Sequence, residues 1–379
     1  MKRITTLIAI VATMASIATA GTLKDKVIYV NPGHGGWTAN DRPLATINYE
    51  AMDTMSFFET KSNLWKGLEL RDRLVKAGAK VVMSRTRNGY VTAGQKNATP
   101  LDRPETHCDE YGQQQLTTLQ TIAINVDSIN PDYFVSMHSN ATGGDDGKLC
   151  NYLVLVYRGE TGNDYAKGSI ARAEQAYPYI WDNPLTVWTS SSPEKPFITG
   201  DLTWMGATPP GNPNAIGYKG YLGVMKHRVP SFLAEGSFHS YQPERQRLLN
   251  RDYCRYEGLR FYRAIKTWFE AGPDKEGHIV GTVKSSTEHL DHPLYKYVPD
   301  SDDQWKPING AIVYLKDNRG VTVRAYHTDG NYNGFFSFYD LKPGKYTIIV
   351  NARGYEQMTI PIEVKADEIT AVKPRIVKN

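Results

Sequence analysis

Val27-Ile28-Tyr29-Val30-Asn31-Pro32-Gly33-His34-Gly35-Gly36 is a short apolar run that ends in glycines around one histidine. Val27 to Val30 reads as a buried strand, and the glycines let the backbone approach whatever lies beyond its end. Downstream, Ser62 to Lys76 reads as a helix with Leu64, Leu68, Leu74 and Val75 as its apolar stripe, interrupted by Arg71. Gly78 closes that helix before a second strand near Lys80 to Met83. Leu119, Ile122, Val126 and Ile129 then share one helical face, and Asn130-Pro131 stops it. Tyr133 to His138, Tyr152 to Tyr157 and Phe232 to Ala234 read as further strands, and Glu244 to Phe269 as a helix or helix pair. Strands alternating with helices predict an α/β fold, with a mainly parallel sheet covered by helices on both faces.

Two stretches break this rhythm. Residues 92–115 are polar and irregular, and residues 181–221 hold Trp181, Trp188 and Trp204 among Pro, Gly, Ser and Asn. Loops of that length inside a domain serve function or are disordered, and three tryptophans favour function. After Gly272-Pro273-Asp274-Lys275-Glu276-Gly277 the pattern changes to short β-rich runs separated by Gly-, Pro- and Asp-rich turns. That change predicts a small antiparallel β-sandwich. The expected organisation is a leader at 1–20, an α/β domain at 21–273 and a sandwich at 277–379.

The leader follows from Lys2 and Arg3, an apolar stretch from Leu7 to Ile17, and small residues at Ala18-Thr19-Ala20. The apolar part is shorter than the roughly twenty residues a membrane span needs. The expected product is therefore exported, periplasmic or secreted, with no membrane span. Lys and Arg number 44 against 40 Asp and Glu, a net of +4 without any basic run, which removes the case for nucleic acid as a partner. Three cysteines, Cys108, Cys150 and Cys254, are too scattered for a disulfide framework or a CxxC zinc site.

Four polar residues fall where strands end or a helix begins: His34, Glu59, His138 and Glu235. In an open parallel sheet, ligands bind beyond the carboxyl ends of the strands, so widely separated residues can converge there. Two histidines and a glutamate form a protein ligand set for catalytic zinc, and Glu235 is placed to move a proton. Taken singly, each also suits a structural role, His as a bonded strand-end residue and Glu59 as a partner of a helix dipole.

The motifs VIYVNPGHGGW, ETKSNLWKGLELRDRLVKAGAKVVMSRTRN, PDYFVSMHSNA and PSFLAEGSF, in that order, resemble the zinc-dependent N-acetylmuramoyl-L-alanine amidase family from Lys26 to roughly Glu270. The resemblance implies zinc held by His34, Glu59 and His138, with Glu235 as the catalytic glutamate. The implied reaction is hydrolysis of the amide between N-acetylmuramic acid and L-alanine in peptidoglycan, with a protein activator or docking partner in play. Two departures stand out. Asn31 replaces the family's Asp before PGHGG, and Phe238-His239-Ser240 replaces an apolar step, with His239 either a donor behind the metal ligands or, the favoured reading, a surface residue. The segment between His138 and Pro230 exceeds what the core needs and suits a groove or an inhibitory lid.

Gly281-Thr282-Val283, Pro307-Ile308-Asn309-Gly310-Ala311, Thr328-Asp329-Gly330, Leu341-Lys342-Pro343-Gly344-Lys345-Tyr346 and Gly354-Tyr355 resemble the carboxypeptidase-regulatory-like sandwich. That resemblance implies a scaffold, spacer or docking role. His278, His289, His292 and His327 are expected to be solvated. Alternatives to hydrolysis by an amidase are an inactive cell-wall-binding protein on the same fold and a zinc peptidase acting on cell-wall peptides. The H-x-x-E ligand pair of zinc carboxypeptidases is absent around His34, as are a G-x-S-x-G elbow and a phosphate-binding fingerprint.

Overall fold

Strand β1 (Val27–Pro32) lies inside a six-stranded sheet of a computed structural model that describes residues 22–34, 44–47, 56–88, 106–108, 114–116, 119–141, 149–190, 192–204 and 223–379. The expected leader, the glycines after His34, most of residues 92–115 and residues 205–222 lie outside the described residues. From β1 the chain continues into helix α1 (Glu59–Lys76), β2 (Lys80–Met83), α2 (Leu119–Ile129) and β3 (Tyr133–Asn140). Next come β4 (Val154–Tyr157), α3 (Ser169–Trp181), β5 (Ile198–Gly200) and β6 (Ser231–Phe238). Helices α4 (Gln242–Leu248) and α5 (Arg251–Trp268) complete this part.

The sheet order is β5-β4-β6-β3-β1-β2. β2, β1, β3 and β6 are mutually parallel, whereas β4 runs antiparallel to β6 and carries β5 parallel to itself. The fold is thus mixed α/β with a mostly parallel sheet, as the alternation of elements predicts. Side chains split with period two. Ile28, Val30, Tyr133, Val135 and Met137 enter the core under α1, α3 and α5, while Tyr29 and Phe134 join Ile122 and Val126 of α2 on the other face.

Several element details differ from the sequence reading. The buried stripe of α1 is Leu64, Leu70 and Leu74, and Val75 is 54% exposed. No element is expected at 169–181, because Pro178 sits inside the helix that forms there. Trp181 and Trp188 stack at 4.8 Å between centroids, Trp188 Nε1 donates to the Trp181 carbonyl, and both pack on the main core. These two rings are packing residues. A one-turn helix, Asp201–Trp204, brings Trp204 against Phe197.

The C-terminal part begins with β7 (Gly277–Thr282), β8 (Lys284–His289), β9 (Trp305–Pro307), β10 (Ile312–Lys316) and β11 (Thr322–His327). It ends with β12 (Phe335–Leu341), β13 (Gly344–Asn351), β14 (Met358–Val364), β15 (Ile369–Val372) and β16 (Arg375–Ile376). β11-β10-β13-β14 is fully antiparallel. β7 pairs antiparallel with β12 but parallel with β15, and β8 pairs antiparallel with β9 but parallel with β16.

Both faces of the β12–β7–β15 sheet are covered. Phe336, Phe338 and Ile279 fill the sandwich core, while Phe335, Tyr339 and Val280 belong to the α/β core with Tyr253 and Tyr256 of α5. Ile47, upstream of α1, is buried with Leu290 and Tyr295 of the sandwich. Arg247 of α4 bonds Asp303, which Lys284 also reaches. His278 is expected in solvent, yet it is 3% exposed, on a strand paired at both edges, with its ring against Tyr339 and its Nδ1 accepting the Asp340 backbone N–H. His289 and His327 are exposed as expected.

Candidate metal centre

Three chain segments deliver the site. β1 ends at Pro32, and His34 follows with φ 62°, a left-handed conformation that turns its ring back across the strand ends. Glu59, expected just before a helix, is the first residue of α1, where a carboxylate complements the positive end of the helix dipole. His138 lies on β3, whose Met137 is level with Pro32 of β1. Gly33 makes the close approach possible, because a Cβ there would fall 2.1 Å from His138 Nε2.

One ligand atom from each of His34, Glu59 and His138 lies within 4.8 Å of the others. His34 Nε2 is 3.0 Å from Glu59 Oε2, and His138 Nδ1 is 3.3 Å from Glu59 Oε1. The imidazole centroids are 5.1 Å apart and nearly edge-on. Glu59 and His138 are each 7% exposed in their side chains, whereas His34 is 23% exposed and leaves the group open on its side. Burial would raise the Glu59 carboxyl, but the charge of His34 and the bonds from His138 and His34 outweigh it and hold the group well below the usual carboxylate range.

The residues present fit a metal ion. Two imidazoles and one carboxylate converge, and His138 Nε2 is buried with no hydrogen-bond partner among the described residues. Two histidines and one carboxylate with an open side are the donor set of a catalytic zinc site, in which a fourth position stays accessible.

The three side chains are held from behind. Glu59 Oε1 accepts from the Ser139 backbone N–H at 2.7 Å and from Asn63 Nδ2 at 3.0 Å. Arg85, fully buried, donates to the carbonyls of Pro32 (3.0 Å), Gly33 (2.7 Å) and Thr60 (2.9 Å), so one guanidinium ties the His34 turn to the start of α1. Asn31 uses its amide on Ser136 Oγ of the neighbouring strand at 2.8 Å. Neither Asn63 nor Arg85 is among the sequence candidates. The available signals are Asn63 four residues after Glu59 on one helical face, and an arginine just beyond an apolar edge strand.

Glu235 is buried on β6 directly level with His138 of β3. A register shift follows between Glu235 and Phe238, and Ser237 adopts φ 65° there. Ser237 Oγ bonds Glu257, which is paired with Lys66 of α1 at 2.9 Å, both buried. Tyr152 packs between Phe238 and Phe197, an aromatic wall on the β4 side of Glu235. His239, expected at the surface, is 2% exposed and stands beside Glu59, because the chain after the register shift turns inward.

The class of protein defined so far is a mixed α/β protein with a two-histidine, one-carboxylate centre at its strand ends. Residues 298–376 match the carboxypeptidase regulatory-like domain family. No curated protein matches the chain. Similar solved structures are N-acetylmuramoyl-L-alanine amidases. One, from Clostridium difficile 630, is 17% identical, spanning 65% of this chain and 97% of its own at a TM-score of 0.42. CwlD of Clostridioides difficile, solved in complex with the GerS lipoprotein, is 18% identical over 64% and 98% at 0.42. Ami1 of Mycobacterium smegmatis is 13% identical over 66% and 99% at 0.43.

Proposed function

We propose that this chain is an exported zinc-dependent amidase that hydrolyses the bond between N-acetylmuramic acid and L-alanine in peptidoglycan. The observation that carries this reading is the convergence of His34, Glu59 and His138, within 4.8 Å, beside a buried glutamate level with His138. The four PGHGG-, ETKSNL-, SMHSNA- and FLAEGSF-type motifs support the choice of bond. In this reading the leader is 1–20, the catalytic part 21–273 and the sandwich 277–379.

When bound by His34, Glu59 and His138, zinc supplies Lewis acidity toward a water and the scissile carbonyl. Glu235 takes the proton from the attacking water and returns it to the departing L-alanine nitrogen. The buried setting of Glu235 keeps bulk water from competing for that proton. Ser139 and Asn63 hold Glu59 while the chemistry proceeds on its far side. Tyr152, backed by buried Phe238, supplies an apolar face with one polar edge, which suits sugar and peptide backbone together. A protein partner that activates or docks the enzyme belongs to the same reading.

Purified protein incubated with peptidoglycan should release peptides beginning with free L-alanine and leave the glycan strands intact, as read by mass spectrometry. Glu235→Gln should retain zinc and lose activity by about 10²–10⁴-fold, whereas His138→Ala should lose the metal. Cuts inside the stem peptide would identify a peptidase instead, and binding without release would identify a cell-wall-binding protein.

A further inference from the structure

We propose that His239 is a positioning residue for the Glu59 carboxylate, acting through Ser139. This rests on the metal-centre reading above and assigns a role to a residue outside the ligand group. His239 Nδ1 lies 3.0 Å from Ser139 Oγ and 3.9 Å from Glu59 Oε2. Ser139 in turn donates its backbone N–H to the other oxygen, Oε1, at 2.7 Å. The Ser139 backbone fixes Oε1, and the imidazole, beyond hydrogen-bond reach of Oε2, holds Ser139 through its Oγ, so that the two together set the rotation of the carboxylate plane. That rotation decides which oxygen faces His34, which approaches Oε2.

The ring and its backbone are held in place. It stacks on Phe57, two residues before Glu59, at 5.4 Å and 29°. Its backbone N–H bonds the Asn140 carbonyl at 2.9 Å, and its own carbonyl accepts from buried Arg245 Nε. An apolar side chain would stack on Phe57 equally well without the cost of desolvating an imidazole. What the imidazole adds is the bond to Ser139 and its place beside Glu59. Groups that orient a ligand from outside the coordination sphere typically govern metal affinity by about 10–100-fold.

Zinc affinity of the full chain, measured by competition with a chromophoric chelator, tests the assignment independently of activity. His239→Leu should weaken zinc binding by about 10–100-fold and lower kcat on peptidoglycan with KM nearly unchanged, while the metal-stripped variant keeps the thermal midpoint of the metal-stripped parent. His239→Asn, whose amide reaches the position of Nδ1, should recover most of that affinity. Ser139→Ala should weaken zinc binding too, with little further loss in the double variant, and it carries the test if His239→Leu does not fold. Unchanged zinc affinity in His239→Leu, or in Ser139→Ala, overturns the assignment while leaving the metal centre standing. Equal losses in His239→Asn and His239→Leu would reduce the ring to a space-filling role and overturn it as well. A parent protein that binds no zinc would sink the metal-centre reading itself.

Discussion

His34, Glu59, His138 and Glu235 are visible in the sequence because each interrupts an apolar run or opens a helix, where a polar residue needs a reason. Arg85 carries no such mark, and His239 is marked only as a departure from the family's pattern. An arginine after a strand and a histidine after a glycine-containing turn are ordinary surface residues until the fold buries them, and burial is a property of neighbours far along the chain. Arg85 shows the scale of what is hidden: it serves carbonyls of residues 32, 33 and 60 at once. Arg85→Ala strands those buried acceptors, each worth about 1–3 kcal/mol. Urea unfolding of the variant should show a loss of at least about 3 kcal/mol, together with weaker zinc binding. A loss below about 1 kcal/mol would mean that water or another donor replaces the guanidinium.

Elements were legible where their period was clean. The alternation of strands and helices survives intact, because four- to eight-residue apolar runs between periodic helices leave few arrangements other than a covered sheet. Boundaries were less legible. α1 starts three residues before the reading because Phe58, at the N-cap position, makes no side-chain cap bond that would have announced it. β6 runs to Phe238 because a shifted register and a left-handed Ser237 let a strand continue through residues that read as a turn. α1 and α5 meet closely, since a Cβ on Gly258 would sit 2.5 Å from the Lys66 carbonyl, and the Lys66–Glu257 pair fills the same contact. Lys66→Met should leave Glu257 charged and buried, at a cost of about 3–5 kcal/mol. Lys66→Met with Glu257→Leu should recover much of it, because matched apolar residues remove both charges. Chemical denaturation of the single and double variants decides this; equal stability of the two would rule out the pairing as the source of the loss.

At the scale of the molecule, the polar turn at 272–277 marks a change of pattern, but not a separation. The run Phe335 to Tyr339 carries four aromatic residues, broken only by Ser337, because its two faces serve two cores. Alternation in a sequence announces strands without saying which of them will meet a helix. His278 records that contact chemically. Burial first and the charge of Arg73 second bring its imidazole down to about 4, against the pull of Asp340 and Asp274, with Arg263 adding to the depression. The folded state thus disfavours the protonated ring. Its contribution is fully present above the unfolded value of about 6.5 and is lost as pH falls toward 4, in total roughly 2–4 kcal/mol. Unfolding free energy should rise from pH 4.5 to 7, and the rise should be smaller in His278→Phe. An identical slope in the two proteins would place the acid sensitivity elsewhere.

The parallel pairing of β7 with β15 also has a meaning in time. As the chain is made from its amino end, α5 is finished while nearly all of the sandwich is still to come. The strand that flanks β7 in parallel arrives only at Ile369–Val372, after β12 and the whole β11-β10-β13-β14 sheet. Until then one edge of β7 is unpaired, and such an edge invites association with other chains. Residues 369–372 therefore act as a latch: a chain that stops before them carries the whole α/β part under a covering sheet that is still unfinished.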